Sequence, residues 1–122
     1  MKDLRRANQQ LIDENPLAVV IQREEFVQAL DGGRVSRVQT FPPFWGRLVP
    51  SKQQTGVSQT ESGEIQRSAW VLIAPWDADI RAGSGVTDTF QGYGRNFRVV
   101  RVIPRRYREQ LYAIHASIEE MK

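Results

Sequence analysis

The sequence predicts a mainly β fold: a small β-barrel with an N-terminal helical arm and a long polar loop between two strands. Three observations carry this. From Leu17 onward apolar residues mostly alternate with period two, glycine and proline clusters cut the chain into short segments, and residues 1–15 place their apolar side chains at helical spacing. The 122 residues, 40% apolar and 25% charged, suit one ordinary globular domain. The expected division is an arm over 1–16 and a barrel over 17–122 that carries the loop 51–63.

In the arm, Leu4, Ala7, Leu11 and Ile12 share one face. Asp3 is placed to cap its start, and Asn15-Pro16 stops it. So short a helix is marginal alone and must dock on its own sheet or on a neighbouring chain. Leu17–Val27 reads as the first strand, with Leu17, Val19 and Ile21 on one face. Asp31-Gly32-Gly33 turns the chain. Val35–Thr40 continues as a weak strand, and Pro42-Pro43 interrupts the ladder. Phe44–Lys52 is the next strand, with Gly46 a bulge or a point of close approach.

Residues 51–63 are polar almost throughout, and so long a loop is a functional candidate. Glu64–Pro75 is the strongest strand. Its stretch Ala69–Ala74 is apolar on both faces and should be covered on both sides. Asp77–Gly85 reads as a turn region, Val86–Gln91 as a short strand, Gly92-Tyr93-Gly94 as a tight turn and Asn96–Ile103 as a strand rich in Val and Arg. The C-terminal stretch fits a helix through Tyr107, Leu111, Ile114, Ile118 and Met121, or a strand through Tyr112, Ile114, Ala116 and Ile118. The strand is preferred because it completes the sheet. Trp70, Leu72, Val100 and Val102 are expected in the core, and Trp45, Trp76 and Phe97 sit among aliphatic neighbours that could cover them.

Catalytic chemistry finds little support. With no cysteine, thiol nucleophiles and zinc–thiolate sites are excluded. His115 is the single histidine and has no evident carboxylate partner, so a packed structural role is expected. Asp77-Ala78-Asp79 resembles the start of a calcium loop but places Arg81 at the next ligand position and Ala82 at the required glycine. Gly83-Ser84-Gly85 lacks the Lys-Ser/Thr of a phosphate loop. Neither Glu24-Glu25 nor Glu119-Glu120 can form a carboxylate couple on one strand, because neighbours face opposite sides. The expectation is a protein that is not an enzyme, with no cofactor and no metal. The longest apolar run, Ala69–Trp76, is too short to span a bilayer, so no membrane partner is expected. Met1–Arg6 leads into no apolar stretch of signal-peptide type.

The net charge is a mild +3, but Arg95, Arg98, Arg101, Arg105, Arg106 and Arg108 run without an intervening acid. They form either a solvated strand face or a surface that meets phosphates or an acidic partner.

Several segments taken together resemble the small head-closure proteins, also called stoppers or head-tail joining proteins, in the neck of tailed bacteriophages and prophages. These segments are Val20-Ile21-Gln22-Arg23, Gly46–Ser51 ahead of the polar insertion, Trp70–Pro75 leading into Asp79–Asp88, and Phe97–Ile103. The resemblance spans roughly residues 17–118. It implies a structural virion component that closes the head after DNA packaging and joins it to the tail. It further implies a ring of about twelve copies, with portal or adaptor proteins above and tail proteins below, in a virion assembled in the host cytoplasm. The loop, with Lys52, Gln53, Gln54, Gly56, Gln59, Glu61 and Gly63, would face the channel and any packaged DNA, and would gate. Leu4, Leu11 and Ile12 of the arm, with Arg98, Arg101, Arg105, Arg106 and Arg108, would form contact surfaces. The rivals are another neck or tail protein, such as an adaptor or tail terminator, and a nucleic-acid-binding β-barrel in which Tyr93, Phe97, Tyr107 and Tyr112 alternate with the arginines.

Overall fold

The computed structural model describes residues 2–28, 30, 32–50 and 70–121. The loop 51–63 and the first part of the strand expected from Glu64 lie outside them. Helix α1 (Lys2–Asp13) is followed by β1 (Leu17–Val19), β2 (Gln22–Gln28), β3 (Arg34–Thr40), β4 (Phe44–Pro50) and β5 (Trp70–Pro75). After these come β6 (Ala82–Gly83), β7 (Val86–Gly92), β8 (Arg95–Tyr107) and β9 (Gln110–Met121). The C-terminal stretch is a strand, and β8 runs four residues beyond the expected Ile103.

Every pairing is antiparallel, in the order β1-β4-β5-β9-β8-β7-β2-β3, with β6 added to β7. β1 and β2 are one run of chain joined by Val20 and Ile21, yet they lie near opposite ends of that order. The sheet therefore curls on itself into a half-barrel, which fits the predicted small β-barrel with a helical arm. The single strand expected over Leu17–Val27 divides because no straight strand can pair with both β4 and β7. Closure also needs close approach. A Cβ on Gly92 of β7 would lie 2.9 Å from Leu17 Cδ2 of β1, and one on Gly46 would lie 3.1 Å from the Ile73 carbonyl oxygen.

The inward faces supply the core: Val19 and Ile21 with Leu48, Leu72, Ala74, Phe90, Phe97, Val99, Ile114, Ala116 and Ile118. Phe97 stacks on Phe90 at 5.4 Å between ring centroids and meets Trp70 edge-on at 6.1 Å. Val100 is a correction. It is 44% exposed, while Val99 is buried. The ladder explains this: Val99 opposes Ile118 and Arg101 opposes Ser117, so Val100 is an extra, bulged residue. Beyond the bulge the alternation is reset, and Val102 turns back towards the core opposite Ala116. Trp45 and Trp76 also lie outside the core, both exposed.

Helix α1 docks on the chain's own sheet, touching β4, β5 and β9. It begins at Lys2, so Asp3 stands in the first turn, where its charge complements the helix dipole. Ile12 is fully buried, and Ile73 and Ala113 are buried on the sheet's outward register. β5 is thus covered on both faces, as its apolar run requires. Polar contacts fix the pose. Asn8 Nδ2 donates to the Ala74 carbonyl at 3.1 Å, and Arg5 Nε donates to the Leu111 carbonyl at 3.1 Å. The Arg5 guanidinium lies over Trp76, 3.7 Å from the ring centroid. At the helix C-terminus Arg47 Nη1 donates to the Leu11 carbonyl at 2.9 Å and pairs with Glu14 at 3.0 Å.

Candidate functional site

Two arrangements of arginine stand out, one inside the barrel and one on its surface. The inner one begins with register. Leu17, Val19 and Ile21 face inward, and the same alternation carries Arg23 inward, where it is 2% exposed. On β7, Asp88 falls on the inward face ahead of Phe90 and is fully buried. Arg23 and Asp88 are direct cross-strand partners.

The guanidinium grips Asp88 with both branches, Nε to Oδ1 at 2.8 Å and Nη2 to Oδ2 at 3.0 Å. Asp79, in the turn before β6, accepts from Nη2 at 3.1 Å and from Nη1 at 3.3 Å. The Arg81 backbone N–H donates to Asp88 Oδ2 at 2.7 Å, and the Phe41 ring lies 4.5 Å from the guanidinium carbon. The hydrogen bond to Asp88 raises the Arg23 pKa against the desolvation that would lower it. The hydrogen bond from Arg23 holds the Asp79 carboxyl below its usual range.

This cluster is committed to structure. Asp79, which the sequence offered as part of a calcium-like turn, gives its oxygens to Arg23 and, at 3.4 Å, to Arg81. Among the described residues, no group of three His, Asp or Glu side chains is placed to hold a metal ion. The sequence reading missed the cluster. Its signal was an arginine standing at an inward strand position, which a barrel tolerates only with a buried acid beside it.

The surface arrangement is the arginine series of β8. Arg98 pairs with Glu119, and Arg95 pairs with Glu120 at 2.8 Å. Arg101 and Arg105 oppose Ser117 and Ala113 on the outward face, one on each side of the position opposite His115. Burial, and then the charge of Arg105, lowers the His115 pKa. A second register shift follows Arg105 and sets Arg106 opposite Leu111, which packs on the core, so Arg106 leaves the face of Arg105. Arg108 lies in the hairpin turn, over Tyr107. The six arginines therefore do not form one stripe. All four from Arg101 onward are exposed, and among the described residues Arg101, Arg105 and Arg106 form no ion pair.

Of the arm residues, Leu4 is half-buried, Leu11 is exposed and Ile12 is used up against the chain's own sheet. The candidate loop residues Lys52, Gln53, Gln54, Gly56, Gln59, Glu61 and Gly63 lie outside the described residues. Tyr93 and Tyr107 are exposed and Tyr112 is half-buried, while Phe97 is in the core. No protein-family model matches the chain, and no curated protein matches it.

Proposed function

We propose that this chain is a structural component of the head-tail connector of a tailed phage or prophage, closing the head and joining it to the tail. One observation supports this most. The segments that resemble head-closure proteins come together in space: Arg23 ends the first, and Asp79 and Asp88 bound the turn-and-strand segment. The residues that carry the resemblance are thus those that hold the half-barrel together. The exposed arginines of β8 and Leu11 of the docked arm supply surface for neighbouring subunits. In a ring such contacts are heterologous and must close.

Deleting the gene from the virus or prophage that encodes it tests this. The expected result is DNA-filled heads that lose their DNA, together with free tails. Normal infectious particles made without the chain would refute the reading.

A second reading, a nucleic-acid-binding barrel, is favoured by Arg101, Arg105 and Arg106, which are exposed and form no ion pair among the described residues. Its signature is DNA binding whose log affinity falls steeply with log salt, by about 0.9 per neutralised phosphate.

A further inference from the structure

Among the described residues several stretches of strand edge have no strand neighbour, and two of them are built differently. β7 accompanies β8 only as far as Arg98, so the segment from Val99 to Tyr107 has one edge free of strand pairing among the described residues. That segment carries Pro104, two register shifts and three arginines. These are the devices that keep an edge from pairing with other chains. β3, a terminal strand of the order, has neither the proline nor the register shifts, although it too carries arginines, Arg34 and Arg37. Its seven residues pair with β2 in unbroken register and contain no proline.

The ladder also says which groups point outward. Phe41 N–H donates to the Ile21 carbonyl at 3.0 Å. By the alternation of antiparallel pairing, Gln39, Arg37 and Val35 then bond to β2. Ser36, Val38 and Thr40 turn their N–H and C=O groups to the open edge. Phe26 N–H bonds away from β3, to the Gly85 carbonyl at 3.0 Å, as the same alternation requires. Beside these groups lie uncovered apolar side chains: Val38, 63% exposed, and Phe26, 51% exposed, share one face of the hairpin. Arg37 is exposed on the other face and forms no ion pair with Glu25, its cross-strand partner.

We infer that the β3 edge receives an extended segment of a partner protein, one that alternates apolar and acidic residues. The apolar residues would cover Val38 and Phe26, the acidic ones would meet Arg37, and the backbone would bond to Ser36 and Val38. Charge selects this occupant over a second copy of the same edge. β3 holds Arg34 and Arg37 and no acid, so the pairing of two β3 edges that uses their full length sets Arg37 against Arg37. This inference does not depend on the neck reading.

The test uses the full chain and two labelled heptapeptides, Val-Glu-Val-Glu-Val-Glu-Val and its lysine counterpart, followed by fluorescence anisotropy and amide exchange. The glutamate peptide should bind saturably and slow exchange at Ser36 and Val38, and the lysine peptide should not bind. Val38→Pro removes one edge donor without touching the β2 ladder and should weaken binding by about tenfold or more. Arg37 is exposed, and Arg37→Glu, which sets a glutamate opposite Glu25, should reverse the peptide preference in a variant whose thermal melt shows that it is folded. No binding, equal binding of the two peptides, or binding indifferent to both substitutions would overturn the inference. So would a dimer in sedimentation that Val38→Pro dissociates and the glutamate peptide does not displace, because a second copy would then hold the edge.

Discussion

Arg23 and the arginines of β8 are the same residue in opposite circumstances. Arg23 is sealed inside the half-barrel, with both branches of its guanidinium on Asp88 and a second acid behind it. Arg101, Arg105 and Arg106 stand in solvent without an ion pair among the described residues. In sequence each stands in or beside a strand-forming stretch, and nothing local marks one as buried and the others as exposed. What separates them is register: β2 carries Arg23 inward, whereas the bulge at Val100 turns Arg101 and Arg105 outward and the shift after Arg105 takes Arg106 to the exposed end of the β8–β9 hairpin. Removing the inner arginine should damage the fold, and removing the outer ones should damage only association.

The largest effect is expected at the inner site. Arg23→Met leaves Asp88 buried without its cation and should lower unfolding free energy by about 3–5 kcal/mol, read from denaturant midpoints. Pairing it with Asp88→Leu should recover much of the loss, because the double variant leaves no unpaired buried charge. Additive losses would show that the pair is not coupled.

The bulge sharpens the same contrast one step along β8. Val99→Ala should cost about 2 kcal/mol, the transfer energy of a buried valine side chain. Val100→Ala should change stability by about 0.5 kcal/mol or less. Equal effects at the two positions would contradict the register.

Acid should act on the inner cluster and spare the outer arginines. The folded pKa of Asp79 lies below its ordinary 3.8. Its contribution to stability is therefore full above that value and is lost as pH falls through the folded pKa. His115 adds a smaller slope at higher pH. Its folded pKa lies below 6.5, so stability declines as pH drops below 6.5, until the folded form also protonates. His115→Gln should flatten that part of the stability–pH curve, measured by thermal melts.

Much of the fold could be read from the sequence, for physical reasons that can be named. The alternation Leu17-Val19-Ile21 encodes one buried face, and the two-sided apolar run of β5 encodes two coverings, the core and the helix. The strand at the C-terminus followed from the need to complete a sheet. The bulge could not be read, because one extra residue leaves no compositional mark and merely swaps Val99 for Val100. The exposure of Trp45 and Trp76 was equally hidden, since an aromatic among aliphatic neighbours in sequence can still stand on the outward register. At the site, the arginine series was legible as composition but its division between faces was not. Arg23 and Asp88 lie 65 residues apart, and only the β2–β7 pairing unites them.

The most direct measurement asks whether the proposed neck role depends on the outer arginines. A chain carrying Arg101→Glu, Arg105→Glu and Arg106→Glu together would be melted alone and then counted, by quantitative mass spectrometry, in particles made by a virus that supplies only this variant. The account predicts a melting curve close to wild type, particles without the chain, and heads that do not join tails. Wild-type incorporation with normal infectivity would contradict it, because these exposed arginines would then meet no partner.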